Sequence, residues 1–551
     1  MPWSWHPRSS LFGRTARVAA GAYRTAPWGP FPAGAAHPGG EVAVPEYSDP
    51  SRHPSTGAGD APRVLLVDPY VAREDPMERK FVELYPSLGI LTLSAWLRDH
   101  GIRVEVTDLT FSRDAEPVTH HLRRFHPHLV GVHTKTLTMP RAIEIAARSR
   151  AEGIPVLAGG PDSATRPDRY LDEGFDAVVP SEGEATLVDV ATRVRDGLPI
   201  VGCPGTIARS DGHTVRGPPR PFLRNLDDLP LPAWDLLDME AYLSAWKTRT
   251  GERRAAVLTS RGCPFDCSWC SKPTFGRTYR QQSVGRVLSE LNALHDRFRV
   301  DYVRFCDDVF GVDRRWLEEL LDRMISEGPH LRFECLARVD LLKPDLLDRM
   351  KAAGLQRVYL GVESGSQKML DAMSRGTRLA QVERVAASLR AHQVRQFWFL
   401  MLGYPGETLE DIEATLRLFR RFSPEEYSVS IAVPVPGTRF YDAVKDRLRG
   451  RAPASRGSGG SSLLYEATYP ELMYRWQQVR FSWEARLRRI RDRFSPEVAD
   501  RLSRAVDELH ERVAKPLLMG KSGDRSHVGA RVTEARLPMV AEGPPHEGPS
   551  T

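Results

Sequence analysis

Cysteine is scarce in this sequence, at 6 of 551 residues. A chain of this length with so few cysteines does not carry a disulfide framework. Three of the six nevertheless lie within eight residues, at Cys263, Cys267 and Cys270. Thiols clustered in this way indicate metal ligands in a reducing compartment, so we expect a cytoplasmic protein.

Long apolar runs and concentrated positive charge are missing as well. No stretch of 18 consecutive apolar residues occurs, which argues against a membrane span. Residues 11–20 are too broken by Gly and Arg to form the core of a signal peptide. The net charge of +6 is spread over the whole chain, so no basic stripe points to nucleic acid. The remaining composition, 41% hydrophobic and 27% charged, is that of a globular protein.

Shifts in composition divide the chain into six segments. The two ends are rich in Pro, Gly, Ala and Arg without an apolar period, which predicts disorder. We expect a disordered leader at 1–60, a first domain at 61–200, a Pro-punctuated linker at 201–254, a second domain at 255–450, a helical C-terminal region at 463–517 and a disordered tail at 518–551.

In the first domain, short apolar runs alternate with amphipathic helices, which predicts an α/β fold with a doubly wound parallel sheet. Ligands of such sheets lie beyond the carboxyl ends of the strands. Glycines there admit a large ligand, and hydroxyls and helix N-termini bind phosphate. These features fit a nucleotide-binding or purely structural flavodoxin-like domain equally well. The candidate binding residues at these ends are Thr134, Thr136, Gly159, Gly160, Gly183 and Glu184.

In the second domain, six strand and helix units predict a partial, open (β/α)6 barrel similar to a TIM barrel. Chemistry in such barrels gathers at the carboxyl ends of the strands. These ends are polar here, and they carry Asp307 with Asp308, Arg338 with Asp340, and Glu363 with Ser364. Any one of them has an ordinary alternative, because Asp residues often cap the following helix.

The cysteines have the spacing C-x3-C-x2-C on a loop that contains Gly262 and Pro264. Three thiolates on a short loop suit an iron-sulfur cluster with one open iron. A structural zinc ion needs a fourth protein ligand, which Cys306 or His295 could supply only by folding back. Cys306 and Cys335 fall within strand patterns, so we expect both to be small buried residues.

The segment Arg-Gly-Cys-Pro-Phe-Asp-Cys-Ser-Trp-Cys resembles the cluster motif of the radical S-adenosylmethionine (radical SAM) superfamily. The resemblance implies that the three cysteines hold a 4Fe-4S cluster whose fourth iron binds the amino and carboxylate groups of SAM. It also implies a SAM site in which Asp307 contacts the amino group, Arg338 pairs with the carboxylate, and Glu363 and Ser364 hold the ribose or carboxylate. Trp269, before the last cysteine, is a further expected SAM contact.

A second resemblance involves the first domain. Three segments ahead of the cysteine motif are similar to the cobalamin-binding domain of cobalamin-dependent radical SAM enzymes. In chain order they are Tyr85-Pro86-Ser87-Leu88-Gly89, Gly159-Gly160 and Glu182-Gly183-Glu184. The Asp-x-His-x-x-Gly motif that often supplies the lower axial histidine is absent. Cobalamin would then bind without that histidine. His133 is a candidate substitute, and its other interpretation is an ordinary histidine at a strand end.

The two resemblances imply a methyltransferase that moves a methyl group from SAM, through methylcobalamin, to an unactivated carbon of a small molecule such as a specialised metabolite. Cyclisation or rearrangement by a related enzyme is the alternative. An iron-sulfur electron carrier or scaffold would not need the polar strand ends. The expected partners are the substrate and an electron donor such as flavodoxin or ferredoxin, and the residues that act directly in catalysis are unknown.

Two apolar stripes predict helices in the C-terminal region. The first helix is also strongly basic. Its arginines either form a solvated face on a helix that covers the barrel, or contact an anionic substrate, a partner or a membrane surface. The stripes are Val479, Trp483, Leu487, Ile490 and Phe494, and Val498, Leu502, Val506, Leu509 and Val513; the arginines are Arg480, Arg486, Arg488, Arg489, Arg491 and Arg493.

Overall fold

The computed structural model describes residues 61–75, 84–272, 274–449, 463–493 and 495–519. These residues belong to one compact unit that begins at Ala61 and contains two large sheets, one mostly parallel and one fully parallel. The predicted leader at 1–60, and the tail from residue 520 onward, lie outside the described residues.

The first sheet has seven strands in the order β2-β1-β3-β4-β5-β6-β7. The first five are parallel, and their order is the flavodoxin-like variant of a doubly wound sheet. The last two form an antiparallel hairpin at the edge. The predicted doubly wound domain is therefore confirmed. The strands are β1 (Arg63–Asp68), β2 (Arg103–Asp108), β3 (Leu129–His133), β4 (Val156–Gly159), β5 (Ala177–Val179), β6 (Ile207–Ser210) and β7 (His213–Arg216).

Helices cover both faces of this sheet, so its central strands are apolar on both sides. Along β1, Leu65 and Val67 join one hydrophobic cluster, while Val64 and Leu66 join the cluster on the opposite face. The α-helices are α1 (Leu88–Asp99), α2 (Glu116–Phe125), α3 (Met139–Ala151), α4 (Pro161–Thr165), α5 (Pro167–Asp172) and α6 (Glu184–Arg195), with 3-10 turns at Ala72–Glu74 and Thr136–Thr138.

The second sheet has six parallel strands in the order β15-β14-β13-β12-β11-β8. Its outermost described strands, β8 and β15, do not pair with each other, so the barrel is open, as predicted. The strands are β8 (Arg254–Val257), β11 (Tyr302–Phe305), β12 (Arg332–Ala337), β13 (Leu355–Glu363), β14 (Arg395–Leu402) and β15 (Glu426–Ile431); a separate antiparallel ribbon consists of β9 (Ser260–Arg261) and β10 (Arg280–Gln281).

Side-chain caps fix where several helices around this sheet begin. Ser283 accepts a hydrogen bond from the Arg286 N–H, and Thr408 forms a capping box with Asp411. The α-helices are α7 (Met239–Thr250), α8 (Val284–Phe298), α9 (Arg314–Ser326), α10 (Pro344–Ala352), α11 (Gln367–Ala372), α12 (Leu379–Ala391), α13 (Leu409–Phe422), α14 (Arg439–Val444), α15 (Glu471–Arg493), α16 (Pro496–Leu509) and α17 (Lys515–Met519). Shorter turns are the 3-10 segments Leu226–Asp228, Trp234–Leu236 and Lys445–Arg447 and the π-helix His510–Ala514.

The helical C-terminal region was predicted, but most of the two apolar stripes do not form its buried face; of their described members, only Leu487 is fully buried. Val479 and Trp483 of the first stripe are exposed, as are Val498, Leu502, Leu509 and Val513 of the second; Phe494 lies outside the described residues. Arg480, expected on a solvated basic face, is 1% exposed. It donates to Asp507 at 2.7 Å and is paired with Glu413. Ion pairs from the buried Arg480 to α13 and α16 therefore join the apolar residues Tyr474, Phe481 and Leu487 on the side of α15 that is buried.

The two single cysteines behave differently from each other. Cys335 lies within β12 and is fully buried, as predicted. Cys306 is exposed, which contradicts the prediction. The reason is that β11 ends at Phe305, so Cys306 belongs to the loop at the carboxyl end of the sheet.

Candidate functional site

The cysteine loop begins directly after β8, at the carboxyl end of the second sheet. Cys263 and Cys267 are buried and Cys270 is half-buried. The Asp307 carboxylate accepts from the N–H groups of Thr259 and Ser260 at 2.9 and 2.5 Å and from their hydroxyls at 2.9 and 2.7 Å. Burial raises the pKa of Asp307 to about 6 despite these bonds. Asp307 therefore anchors the start of the loop with both carboxylate oxygens.

Asp308, the next residue, is exposed and faces the cysteines. Its charge lies near enough to raise the pKa of both Cys263 and Cys270. Since Asp307 is already committed to the loop, Asp308 is the carboxylate of this pair that remains open to a ligand. Sequence patterns could not separate the two, because adjacent residues at a strand end point in different directions.

The thiols are held in a partly apolar setting that favours their neutral form. Burial raises the pKa of Cys263, and burial followed by the nearby Cys267 raises the pKa of Cys270 to about 11. Metal ligands must be thiolates, so loading this loop releases protons. Within the described residues, no three or more His, Cys, Asp or Glu side chains converge on one metal ion. In an iron-sulfur cluster each thiolate instead ligates its own iron.

Two buried guanidinium groups lie against Cys267. Arg338 Nη1 is 3.7 Å from the Cys267 Sγ, and Arg375 Nη1 is 3.3 Å from it. Arg338 is fixed by Asp340 at 2.9 Å and by the Arg375 carbonyl at 2.6 Å, and it stacks 3.7 Å above the Phe265 ring. Both groups place positive charge where a thiolate and an anionic ligand would sit.

Glu363 and Ser364 end β13 but point to different surroundings. Glu363 is buried and adopts a left-handed φ of +63° where the register with β14 shifts, and burial raises its pKa. Its carboxylate is 3.9 Å from Arg375 Nη2. Ser364 is fully buried, with its hydroxyl 3.1 Å from the Thr415 hydroxyl and accepting from the Ser366 N–H. Glu363 thus faces the cysteine side, whereas Ser364 is used inside the fold.

A second candidate site lies at the carboxyl end of β4. A Cβ atom added to Gly159 would meet nothing within 4 Å, so this glycine faces open space. Gly160 has a φ of +114°, and a Cβ there would lie 2.7 Å from the Thr134 carbonyl oxygen. The first glycine therefore leaves room for a ligand, and the second is required by the backbone.

The other residues expected at this edge are mostly occupied. Thr134 is fully buried and bonded to the Gly159 carbonyl and the Ser163 hydroxyl. Thr136 is exposed and donates to Asp162 at 2.6 Å. His133 is half-buried, with Nδ1 3.3 Å from the Ser87 hydroxyl and 3.8 Å from Asp68 Oδ2. Gly159, which faces open space, and Thr136, which is exposed although its hydroxyl is bonded to Asp162, are the predicted positions that a ligand can reach.

The remaining two predicted positions lie in the loop after β5. A Cβ on Gly183 would come within 3.2 Å of Leu93 and Leu187, so its surroundings are packed. Glu184 is buried, and Glu184 Oε1 accepts from Arg261 Nη2 at 2.6 Å. Arg261 lies in β9, two residues before Cys263, so this segment contacts the part of the chain that leads into the cysteine loop.

The same two-part organisation occurs in known proteins. The family model for the B12 binding domain matches residues 78–191, and the model for the radical SAM superfamily matches residues 257–419. An uncharacterized methyltransferase of Pyrococcus horikoshii is 30% identical over 389 residues, which are 69% of this chain and 82% of that relative. This chain belongs to the cobalamin-dependent radical SAM family. Its cofactors are a 4Fe-4S cluster, SAM and cobalamin.

Further similarities include another reaction type and a solved fold. An anaerobic magnesium-protoporphyrin IX monomethyl ester cyclase of Rubrivivax gelatinosus is 26% identical, with 66% of this chain and 67% of the cyclase covered. The fold is similar to that of TsrM, a radical SAM methyltransferase from Kitasatospora setae solved with cobalamin and a [4Fe-4S] cluster. The TM-score is 0.60 at 21% identity, covering 70% of this chain and 75% of that one.

The region around Cys267 fits the cluster and SAM chemically. Two buried donors there, Arg375 Nε and Trp269 Nε1, have no hydrogen-bond partner within the described part of the protein. Buried donors without acceptors are costly, so an anionic ligand such as a carboxylate would satisfy them. Lys272 closes the loop by donating to the Cys263 carbonyl at 2.8 Å and to the Phe265 carbonyl.

Arg375 and Lys272 were missed in the sequence. Arg375 comes twelve residues after Glu363 and returns to the site through the short helix α11 and a turn at Ser374, whose φ is +50°. The Met-Ser-Arg-Gly segment was the available signal, because a Gly-containing turn next to a polar strand end brings the intervening arginine back.

In the part of the chain that the structure describes, no helix combines the length and the apolarity needed to cross a bilayer.

Proposed function

We propose that this enzyme transfers the methyl group of SAM to a carbon atom of a small molecule. The observation that carries the proposal is the link between two candidate sites on one chain. Arg261, two residues before the first cysteine, pairs with Glu182 and Glu184 in the segment that follows β5, and β5 lies beside β4 and Gly159 in the sheet. Similarity to a methyltransferase over 82% of that relative's length supports methyl transfer as the reaction.

When bound, the cluster supplies the electron that cleaves SAM to a deoxyadenosyl radical, and cobalamin carries a methyl group between SAM and the substrate. Cys263, Cys267 and Cys270 would hold the cluster. Arg338 and Arg375 would stabilise the thiolate form of Cys267, because their guanidinium groups lie 3.7 and 3.3 Å from its sulfur.

The SAM contacts follow from which polar atoms remain open. Arg375 Nε is buried without a partner and suits the SAM carboxylate. Glu363, held in a left-handed conformation beside Arg375, suits the ribose hydroxyls. Asp308 replaces Asp307 as the acceptor for the amino group, because the carboxylate of Asp307 already accepts four hydrogen bonds.

Cobalamin would lie against the edge formed by Gly159 and Thr136. The open space at Gly159 admits a flat ring system close to the backbone. Thr134, Gly160, Gly183 and Glu184, also expected in the binding set, would shape this edge from behind.

Cyclisation is the second candidate, because the similar Rubrivivax protein is a cyclase. Methyl transfer and cyclisation are distinguished with anaerobically reconstituted enzyme and SAM that carries a trideuteromethyl group. The candidate substrates are metabolites made by the enzymes that neighbouring genes encode. Methyl transfer predicts a product that gains one labelled methyl on carbon. A product that forms with deoxyadenosine but without label would establish the alternative.

The electron donor is proposed to be a flavodoxin or ferredoxin, consistent with a reducing, cytoplasmic setting. This part of the proposal is tested separately by measuring the rate of deoxyadenosine formation with flavodoxin, with ferredoxin and with a chemical reductant in place of either protein.

A further inference from the structure

Two arginines on the β9–β10 ribbon and two glutamates of the first domain form a buried ionic cluster. Arg261 Nη1 is 3.1 Å from Glu182 Oε1, and Arg261 Nη2 is 2.6 Å from Glu184 Oε1. Arg280 Nη1 is 2.7 Å from the same Glu182 oxygen. All four side chains are about nine-tenths buried or more.

The cluster connects the two sites through very short stretches of chain. Arg261 precedes Cys263 by two residues, and Gly262 between them is confined, since a Cβ there would lie 1.9 Å from the Thr278 carbonyl oxygen. On the other side, Glu182 and Glu184 flank Gly183 in the loop that follows β5, next to β4 and Gly159 in the sheet. Displacement of one loop would therefore displace the other.

The surroundings hold the arginines in one orientation. Arg261 and Arg280 are directly opposite each other in the antiparallel ribbon. The Arg261 guanidinium lies over the Phe275 ring and that of Arg280 over the Phe222 ring, at 5.1 and 4.8 Å from the ring centres. The second Glu182 oxygen accepts from the Leu223 N–H at 2.8 Å. A planar guanidinium can bridge two carboxylates in this fixed geometry, which an ammonium cannot do.

Other contacts also join the two domains. Tyr242 donates to Thr110 at 2.8 Å, and Trp246 Nε1 donates to the Leu84 carbonyl at 2.6 Å, so α7 is attached to the first domain elsewhere. Buried ion pairs often contribute little net stability compared with apolar contacts, and geometric specificity is one reason to keep them.

We propose that Arg261 is a positioning residue that, with Glu182 and Glu184, sets the placement of the cysteine loop relative to the cobalamin edge. If the cysteine loop were slightly misplaced, SAM would still be cleaved, but fewer of the radicals formed would lead to methylated product. The effect on methyl transfer rests on the proposed function, whereas the effect on placement does not.

The test compares the wild type with the double variant Arg261→Gln/Glu184→Gln. This variant removes one positive and one negative charge and leaves the Arg280–Glu182 pair intact. Arg277→Gln is the matched control, because Arg277 forms an exposed ion pair with Asp266 of the same loop. Iron, sulfide and cobalamin contents, and circular dichroism, establish that each protein is folded and loaded.

Placement is measured by electron paramagnetic resonance, from the microwave power that half-saturates the cob(II)alamin signal before and after reduction of the cluster. We expect reduction to increase this power in the wild type and in Arg277→Gln, and to increase it less in the double variant. The same preparations should show product per deoxyadenosine reduced by about 10- to 100-fold in the double variant, as expected for misplacement by about 1 Å.

A loaded double variant that matches the wild type in both measurements would overturn the proposal, as would a wild type without magnetic interaction. If the double variant does not fold, Arg261→Lys takes its place, because lysine keeps the positive charge but lacks the forked guanidinium group. The same two measurements then decide whether the proposal holds. If no variant or wild type forms a methylated product, the proposed function fails, while the magnetic measurement still tests the positioning role.

Discussion

Gly262, next to the first cysteine, offers a quantitative test of how the cysteine loop is packed. Its φ is +83°, and a Cβ atom would lie 1.9 Å from the Thr278 carbonyl oxygen and 3.1 Å from that of Phe275. In Gly262→Ala, the left-handed conformation costs about 1–2 kcal/mol, and overpacking against backbone adds about 1–3 kcal/mol. We expect a total loss of about 2–5 kcal/mol in the free energy of unfolding.

Gly437 is the matched control, because it has the same φ of +83° but open space around its Cβ position. Gly437→Ala should therefore lose only the conformational part, about 1–2 kcal/mol. Urea denaturation of the three proteins gives the difference, and iron content after reconstitution should fall in Gly262→Ala alone. Equal losses in both variants would refute the packing described for this loop.

Three further predictions address the cluster, the cobalamin edge and pH. Changing Cys263, Cys267 and Cys270 to Ala should abolish iron-sulfur absorption and SAM cleavage, whereas Cys335→Ala should keep the cluster; full iron and sulfide in the triple variant would contradict the ligand assignment. Gly159→Trp should fill the open space and lower cobalamin retention, and unchanged retention would move the site elsewhere. Burial raises the pKa of Glu407 from 4.5 to about 8, so the folded state binds more protons in this range and stability falls as pH rises, by up to about 1.4 kcal/mol per pH unit. Glu407→Gln should flatten this dependence between pH 6 and pH 8 in urea titrations; an unchanged slope would show that another group is responsible.

The architecture could be predicted because it depends on local patterns. Alternating apolar runs and amphipathic helices recur through both sheets, and strand ends at residues such as Asp68 and Gly159 follow from where those runs stop. The Cys263 loop was recognisable because ligand spacing is itself local.

Burial at the C-terminal helices could not be predicted because it depends on distant partners. Arg480 is buried by Glu413, 67 residues earlier, and by Asp507 on the next helix. Without these partners a charged residue is expected to be solvated, and the stripe that contains Val479 and Trp483 was expected to pack on the core. A pattern of apolar residues cannot reveal that charged partners on other helices share this interface with buried residues such as Phe481 and Leu487.

The SAM site shows the same limit at the scale of single side chains. The polar strand ends were found, yet which side chain is free depends on contacts formed after folding. The Asp307 carboxylate is hydrogen-bonded to Thr259 and Ser260, and the Ser364 hydroxyl is hydrogen-bonded to Thr415. Arg375 comes into place only because α11 folds back toward Cys267.

Methyl transfer by a radical enzyme with cobalamin can be distinguished from the alternatives by counting the two products of SAM per molecule of product formed. Loss of the methyl group leaves S-adenosylhomocysteine, and radical cleavage leaves 5'-deoxyadenosine with methionine. Methyl transfer through cobalamin should give both nucleosides in about equal amounts, one of each per methylated product. Deoxyadenosine that accompanies product without S-adenosylhomocysteine would contradict it.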